Sequence, residues 1–354
     1  YAQLDAQAIG AQGLADVVAG NADKLAVVDL LDAPSGGPPL IAVPRISRAP
    51  FAFEVLPATD SGTRAHLKIQ DGCDFMCTFC VIPAARGRGR PRLLDNLLAE
   101  AEALAGQGVK EIVLTGVNVG TYAEGSRTLL DVADRLHALA GVERIRISSI
   151  EPTTVEAGLL ERMADPAHKL APFLHLPVQS GSDAVLAAMR RRYTSAEYRA
   201  FAEAALRQVP DLCLGTDVMA GFPGESDDQF GATFDLLDAL PLAYCHVFPY
   251  SARAGTPAAR RADAVPSPVR RRRAEVLRAL GDAKRLAFHR RQVGRVLPVL
   301  FEKPARAGVA EGYTANYIRV LVAHPDAAAL RNRIRPVLLA EAGSETMAGQ
   351  MAGG

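Results

Sequence analysis

Between residues 64 and 250, short apolar runs alternate with stretches whose apolar residues recur every three or four positions. Leu67 to Gln70 predicts a strand. Leu93, Leu94, Leu97, Leu98, Ala101 and Leu104 predict a helix that stops at Gly106-Gln-Gly108. The alternation then repeats. Strands are predicted at 111–115, 144–147, 173–176, 212–219 and 244–248, with helices at 129–139, 155–163, 183–190, 195–208 and 229–239 between them. Such strand–helix units imply a parallel sheet with right-handed crossovers. Six units, where a complete barrel has eight, predict an α/β fold that is a partial (β/α) barrel, open on one side.

The flanks have a different texture. Residues 5–14 and 22–31 are expected to be helical, with Val17-Val18 extended between them. Residues 33–62 carry six prolines and Gly36-Gly37, which predicts a linker with extended pieces. Past Pro249, the breakers Gly255-Thr-Pro257 and Pro266-Ser-Pro268 lead into a basic helix. From Val293, alternating runs at 296–302, 312–322 and 334–339 predict a small antiparallel β module. The expected organisation is an N-terminal unit plus linker over 1–62, the barrel over 63–290, the β module over 291–345 and a disordered tail over 346–354.

A chain of 354 residues that is 49% hydrophobic and 22% charged fits two or three ordinary globular domains. No run approaches the ~20 apolar residues of a membrane span, so no membrane partner is expected. Five cysteines, an odd number, argue against a disulfide framework and for a reducing, cytoplasmic setting. The net charge of +1 gives no global basic field. Charge is uneven, however: residues 270–291 hold nine Lys or Arg against Glu275 and Asp282. This is either a solvated helix face or a phosphate-contacting surface. In the β module, Tyr313, Asn316, Tyr317 and Arg319 could stack on and hydrogen-bond to RNA on one face.

The sharpest chemical signal is Cys73-Asp-Phe-Met-Cys77-Thr-Phe-Cys80, in a loop predicted from Gly72 to Gly89 just after the first strand. Three cysteines cannot close the four-ligand shell of a structural zinc ion. They can hold three irons of a cubane and leave the fourth open to a ligand. Strand C-termini are also where α/β barrels place chemistry. The other readings are three buried thiols, or a structural metal completed by a distant histidine in a non-catalytic RNA-binding module; His66 is the only close one. Cys213 and Cys245 lie in apolar strands and read as small hydrophobes. His175 and His246, within strands, read as satisfied core residues.

The run from Lys68 to Gly87, taken with the strand-end segments Thr115-Gly-Val-Asn118, Gln179-Ser-Gly-Ser182, Met189 to Thr194 and Gly215 to Glu225, resembles the radical S-adenosylmethionine (SAM) enzymes. Within them it resembles the methylthiotransferases, from Tyr1 to about Leu339. The resemblance implies one 4Fe-4S cluster on Cys73, Cys77 and Cys80 and SAM bound at its open iron. It places Phe79, Gly116, Asn118, Gln179, Ser180, Arg191, Asp217, Gly221 and Glu225 around that cofactor, with Arg191 near its carboxylate and the Asp217–Glu225 segment near ribose and adenine. SAM would be cleaved reductively to methionine and a deoxyadenosyl radical, and sulfur then inserted and methylated with a second SAM.

The β module is similar to the TRAM domain, which binds RNA in this family. The implied partners are tRNA and a reductant protein, and the chain is expected to be a monomer. Val247 to Ala258 is similar to the branch acting at C2 of threonylcarbamoyladenosine beside the tRNA anticodon. Isopentenyladenosine in tRNA, or an aspartate of a ribosomal protein, is the alternative target. Family members carry three further N-terminal cysteines for a second cluster, the last directly before a Tyr-Ala-Gln stretch. Here Tyr1-Ala-Gln3 opens the sequence, so the chain is expected to be a fragment that cannot build the second cluster.

Overall fold

In the computed structural model, residues 1–22, 24, 27–31, 37–55 and 62–353 are described. Helix α1 (Ala6–Ala11) and strands β1 (Val17–Ala19) and β2 (Leu40–Ala42) form the N-terminal unit, β1 and β2 pairing in parallel. Of the helix expected over 22–31, the described residues Val27 to Leu31 make turns instead. Val28 and Leu31 remain largely exposed. A short helix with no surface on which to bury its apolar stripe does not repay its nucleation. Residues 23, 25, 26, 32–36 and 56–61 of these first two expected segments lie outside the described residues. Farther on, the linker is pinned to the barrel, because Asn96 accepts from Phe53 N–H (3.0 Å) and donates to Phe53 O (2.9 Å).

The barrel strands are β3 (Arg64–Lys68), β4 (Glu111–Thr115), β5 (Arg144–Ile147), β6 (Phe173–His175), β7 (Cys213–Ala220) and β8 (Tyr244–Pro249). They run parallel in chain order as two three-stranded sheets, joined where Ile145 bridges Leu170. Among the described residues neither β3 nor β8 gains a second neighbour, so the barrel is open between them. Helices α2 (Leu94–Gly106), α3 (Leu129–Ala138), α4 (Ala157–Ala164), α5 (Asp183–Met189), α6 (Ser195–Gln208) and α7 (Asp227–Ala239) are the crossovers. Thr128, Thr194 and Ser226 start α3, α6 and α7 with capping boxes, each satisfying two backbone N–H groups that the first turn leaves free. Leu67, Ile69, Leu97, Ile112, Leu114, Ile145 and Leu174 are buried in one continuous core.

The basic helix α8 (Ser267–Arg290) lies against β8, its Gly281 close to Cys245, and buries Ala274 and Leu277 in the same core. Much of its charge is spent inside the molecule. Arg273 binds Glu225 (2.6 Å) and Asp227 (2.8 Å), Arg270 donates to Tyr250 O, and Lys284 donates to Leu240 O. Arg271, Arg272 and Arg278 face outward.

The C-terminal unit is a closed five-stranded barrel: β9 (Val296–Phe301), β10 (Val309–Thr314), β11 (Arg319–Ala323), β12 (Ile334–Ala342) and β13 (Met347–Met351), in the order β9-β10-β11-β13-β12. Two expectations change here. The run 312–322 is two strands separated by a turn in which Tyr317 takes φ +64°. The segment assigned to a disordered tail supplies β13, whose Met347 is fully buried. Its alternation is too polar to read as a strand alone, and it is held by pairing with β12 on one side and β11 on the other.

This small barrel docks on the N-terminal end of the large one. Glu111, fully buried, takes Arg144 (3.1 Å) and Arg146 (2.8 Å). Those arginines in turn donate to Tyr313 O (3.1 Å) and Ala315 O (3.0 Å). Arg64 lies 4.5 Å over the Tyr313 ring, and Arg146 lies 4.5 Å over Tyr317. Asn316 is buried, and Arg319 pairs with Glu311. The residues expected to form an RNA-stacking face are therefore largely engaged in the joint between the two barrels. An aromatic ring reads the same in sequence whether it will meet a base or a guanidinium.

Candidate active site

The three-cysteine loop leaves the end of β3 through Gln70 and Asp71, which pair with Arg90 and Pro91 to close its base. Asp71 is buried and binds Lys68 (2.7 Å) and Arg86 (3.1 Å), and it accepts Gly72 N–H (3.0 Å). Gly72 has φ +73°, and a side chain there would meet Arg88 O at 2.0 Å, so only glycine lets the two loop arms cross this closely. Cys73 N–H donates to Gly87 O (3.1 Å). At the far side, Thr78 donates through N–H to Met189 O (3.0 Å) and through its hydroxyl to Ala188 O (2.8 Å), anchoring the loop on α5.

Gln70 couples this loop to the end of β4. Its Nε2 donates to Gly72 O (2.8 Å), and its Oε1 accepts from Val117 N (2.9 Å) and Asn118 N (3.1 Å) beside Gly116. A second chain of contacts begins at Cys77. Arg191 Nη1 lies 3.4 Å from its Sγ, and the same guanidinium binds Glu151 and Tyr193 Oη. Thr154 then donates its hydroxyl to Glu151 O (2.9 Å) and lies 3.2 Å from the Asn118 side-chain amide. Burial pushes the Glu151 carboxyl up, against the pull of Arg191. For Arg191, burial opposes the charge but Glu151 outweighs it and holds the guanidinium protonated.

Cys77, Arg191 and Asn118 are thus gathered into one network. Gln179, with φ +65°, joins Asp217 through the backbone, its N–H donating to Asp217 O (2.9 Å). The other sequence candidates face the protein body. Ser180 bonds Thr233 of α7 (3.1 Å), and Phe79 packs near Phe222 and Tyr250. Glu225 accepts from Gly221 N (2.8 Å) and pairs with Arg273, while Gly221 faces the Arg270 side chain. Burial raises the Glu225 carboxyl despite both partners.

The sequence reading did not single out Gln70 or Glu151; it read His175 and His246 as core residues, which His175 is, buried and bonded to Tyr244 Oη, while the His246 side chain is exposed. Asp217 Oδ1 lies 3.0 Å from His175 Nε2 and 3.3 Å from His246 Nδ1. Burial works against the Asp217 charge, but the two imidazoles beside it hold its carboxyl at about 2. The available signal was two histidines and an aspartate on neighbouring predicted strands.

The residues fit an iron–sulfur cluster and a polar cofactor. Cys73, Cys77 and Cys80 are free thiols, each partly exposed. Burial raises the Cys73 and Cys80 thiols, so a ligand that takes thiolates must supply the compensating charge. Asn118 is buried and its Nδ2 has no hydrogen-bond acceptor, a donor left for a ligand.

An open parallel barrel with three thiols on the loop after its first strand defines the radical SAM class, and the sequence profile of the Radical SAM superfamily matches residues 67–237. The chain is 36% identical over 332 residues to threonylcarbamoyladenosine tRNA methylthiotransferase MtaB of Bacillus subtilis (strain 168), covering 91% of this chain and 73% of that protein. It is 40% identical over 256 residues to tRNA-2-methylthio-N(6)-dimethylallyladenosine synthase of Maricaulis maris (strain MCS10), covering 70% of this chain and 56% of that protein. Among solved structures, coproporphyrinogen III oxidase (HemN) from Escherichia coli aligns over 74% of this chain and 68% of its own, at 16% identity and TM-score 0.49. The chain belongs to the radical SAM methylthiotransferase family. It spans a little over half the length of the Maricaulis relative.

Proposed function

We propose that this chain carries the radical SAM half of a tRNA methylthiotransferase whose target is C2 of threonylcarbamoyladenosine. The observation that carries the reading is the loop itself: three free thiols at the end of the first barrel strand, with Arg191 3.4 Å from one of them. Cys73, Cys77 and Cys80 would hold a 4Fe-4S cluster, and the strand ends beside it, with Asn118 and Arg191, would take SAM. When bound, these groups supply one-electron reduction and a carbon radical able to take hydrogen from an unactivated carbon.

The chain's own residues do the rest. Arg191, locked by Glu151 and Tyr193, offers a fixed cation for a carboxylate. Asn118 presents its unpaired amide N–H group to a ligand acceptor, and Gln70 fixes the distance between that donor and the cysteine loop. Strands β3 to β8 hold these groups on a rigid frame, which is what orientation of a reactive species requires.

The match to the Bacillus protein runs over 91% of the chain and supports threonylcarbamoyladenosine. The higher identity to the Maricaulis protein supports dimethylallyladenosine as a second reading. Mass spectrometry of tRNA nucleosides from cells lacking this gene separates them. Loss of methylthio-threonylcarbamoyladenosine is expected. Loss of the dimethylallyl product instead would move the assignment, and an unchanged nucleoside profile would contradict both.

A further inference from the structure

We propose that His175, Asp217 and His246 form one face of a second metal site, binding a borderline divalent ion such as Zn2+ or Fe2+ apart from the cysteine loop. The three residues come from adjacent strands β6, β7 and β8, and Asp217 and His246 are direct register partners. Their ligand atoms all lie within 4.8 Å of one another. For bonds of about 2.1 Å, neighbouring ligands stand about 3.0 Å apart in octahedral and about 3.4 Å apart in tetrahedral geometry. The observed separations from Asp217 Oδ1 are 3.0 Å to His175 Nε2 and 3.3 Å to His246 Nδ1.

Three features favour an ion over a plain hydrogen-bonded cluster. Asp217 Oδ1 is buried and faces both imidazoles without a well-aligned hydrogen bond to either. His175 Nδ1 lies 2.9 Å from the Tyr244 hydroxyl, a second partner that fixes the ring with Nε2 toward Asp217, as a metal-bound histidine is oriented. Gly215 makes this possible, since the Tyr244 ring fills the space where any Cβ would stand, 2.0 Å from Cζ. Two imidazoles and one carboxylate occupy a single face and leave the other positions open. The His246 side chain is 59% exposed, so those positions are reachable by water or by an oxygen ligand.

Calorimetric titration with Zn2+ tests this on protein whose cysteine loop has first been loaded with iron and sulfide, iron being reassayed afterwards. One Zn2+ per chain is expected with iron retained, and binding at least tenfold weaker in His246→Gln and Asp217→Asn. His246 is exposed, so its replacement leaves the core intact. Absence of Zn2+ binding, or equal binding by both variants with iron retained, would overturn the site and leave a hydrogen-bonded triad. Zn2+ uptake matched by loss of iron would also overturn it, since the ion would then be at the cysteines.

Discussion

Gln70 has no exposed surface and spends both ends of its amide on backbone, holding the cysteine loop to the segment after β4. In the sequence it is one polar residue after an apolar strand, and nothing in its type marks it as a brace. The cysteines were legible because their spacing alone limits the chemistry. Arg191 was picked out by resemblance, whereas its partner Glu151 lies in a different strand–helix unit and only folding brings them together. Replacing Gln70 with Ala strands two N–H groups and weakens a loop carbonyl's contact, at about 1–3 kcal/mol per unsatisfied group. The expected result is a lower Tm and faster iron loss under chelator than in wild type. Unchanged values for both would remove Gln70 from the account. Glu151→Gln should keep the fold but free Arg191, weakening SAM binding by equilibrium dialysis while cluster loading persists; unaltered SAM affinity would contradict the locking role.

At the scale of elements, strand β4 lies where its apolar run Ile112-Val-Leu114 places it, because a parallel strand buried on both faces is a short continuous hydrophobic word, whereas β5, Arg144-Ile-Arg-Ile147, alternates and buries its arginines against Glu111. Segments whose structure depends on a distant partner were not legible. Residues 27–31 lack a surface to bury them, and β13 exists only through its neighbours β11 and β12. The joint between the barrels depends on Glu111. Burial opposes its charge, but Arg146 and Arg144 hold its carboxyl below the usual range. A depressed carboxyl contributes stability that is fully present above the unfolded value of about 4.3 and lost as pH falls through the folded value. Thermal unfolding of the cluster-free chain should therefore weaken with acid in this window, and Glu111→Gln should be less stable at pH 7 and flatter below it. Removing one partner of a buried pair costs about 3–5 kcal/mol. Equal stability at pH 7 would contradict the role given to Glu111.

The whole molecule sets the cysteine loop at the C-terminal end of the large barrel and the small barrel at its N-terminal end, so an RNA that touched both would have to run along the side. The outward Arg271 and Arg272 of α8 are candidates for that path, while Arg285 is paired with Asp282 (2.5 Å). If each of the first two meets one phosphate, replacing both by Ala should weaken tRNA binding and reduce the salt slope by about 1.8. An unchanged slope in a filter-binding titration would return α8 to a solvated face.

The central claim is that the three-cysteine loop, with SAM, performs reductive cleavage. It is tested most directly by following deoxyadenosine from anaerobically reconstituted protein given dithionite and SAM. The account predicts deoxyadenosine from the wild-type chain and from Cys213→Ala, and none above background from Cys77→Ala. Equal product from Cys77→Ala, or none from a wild-type chain that holds its full complement of iron and sulfide, would contradict it.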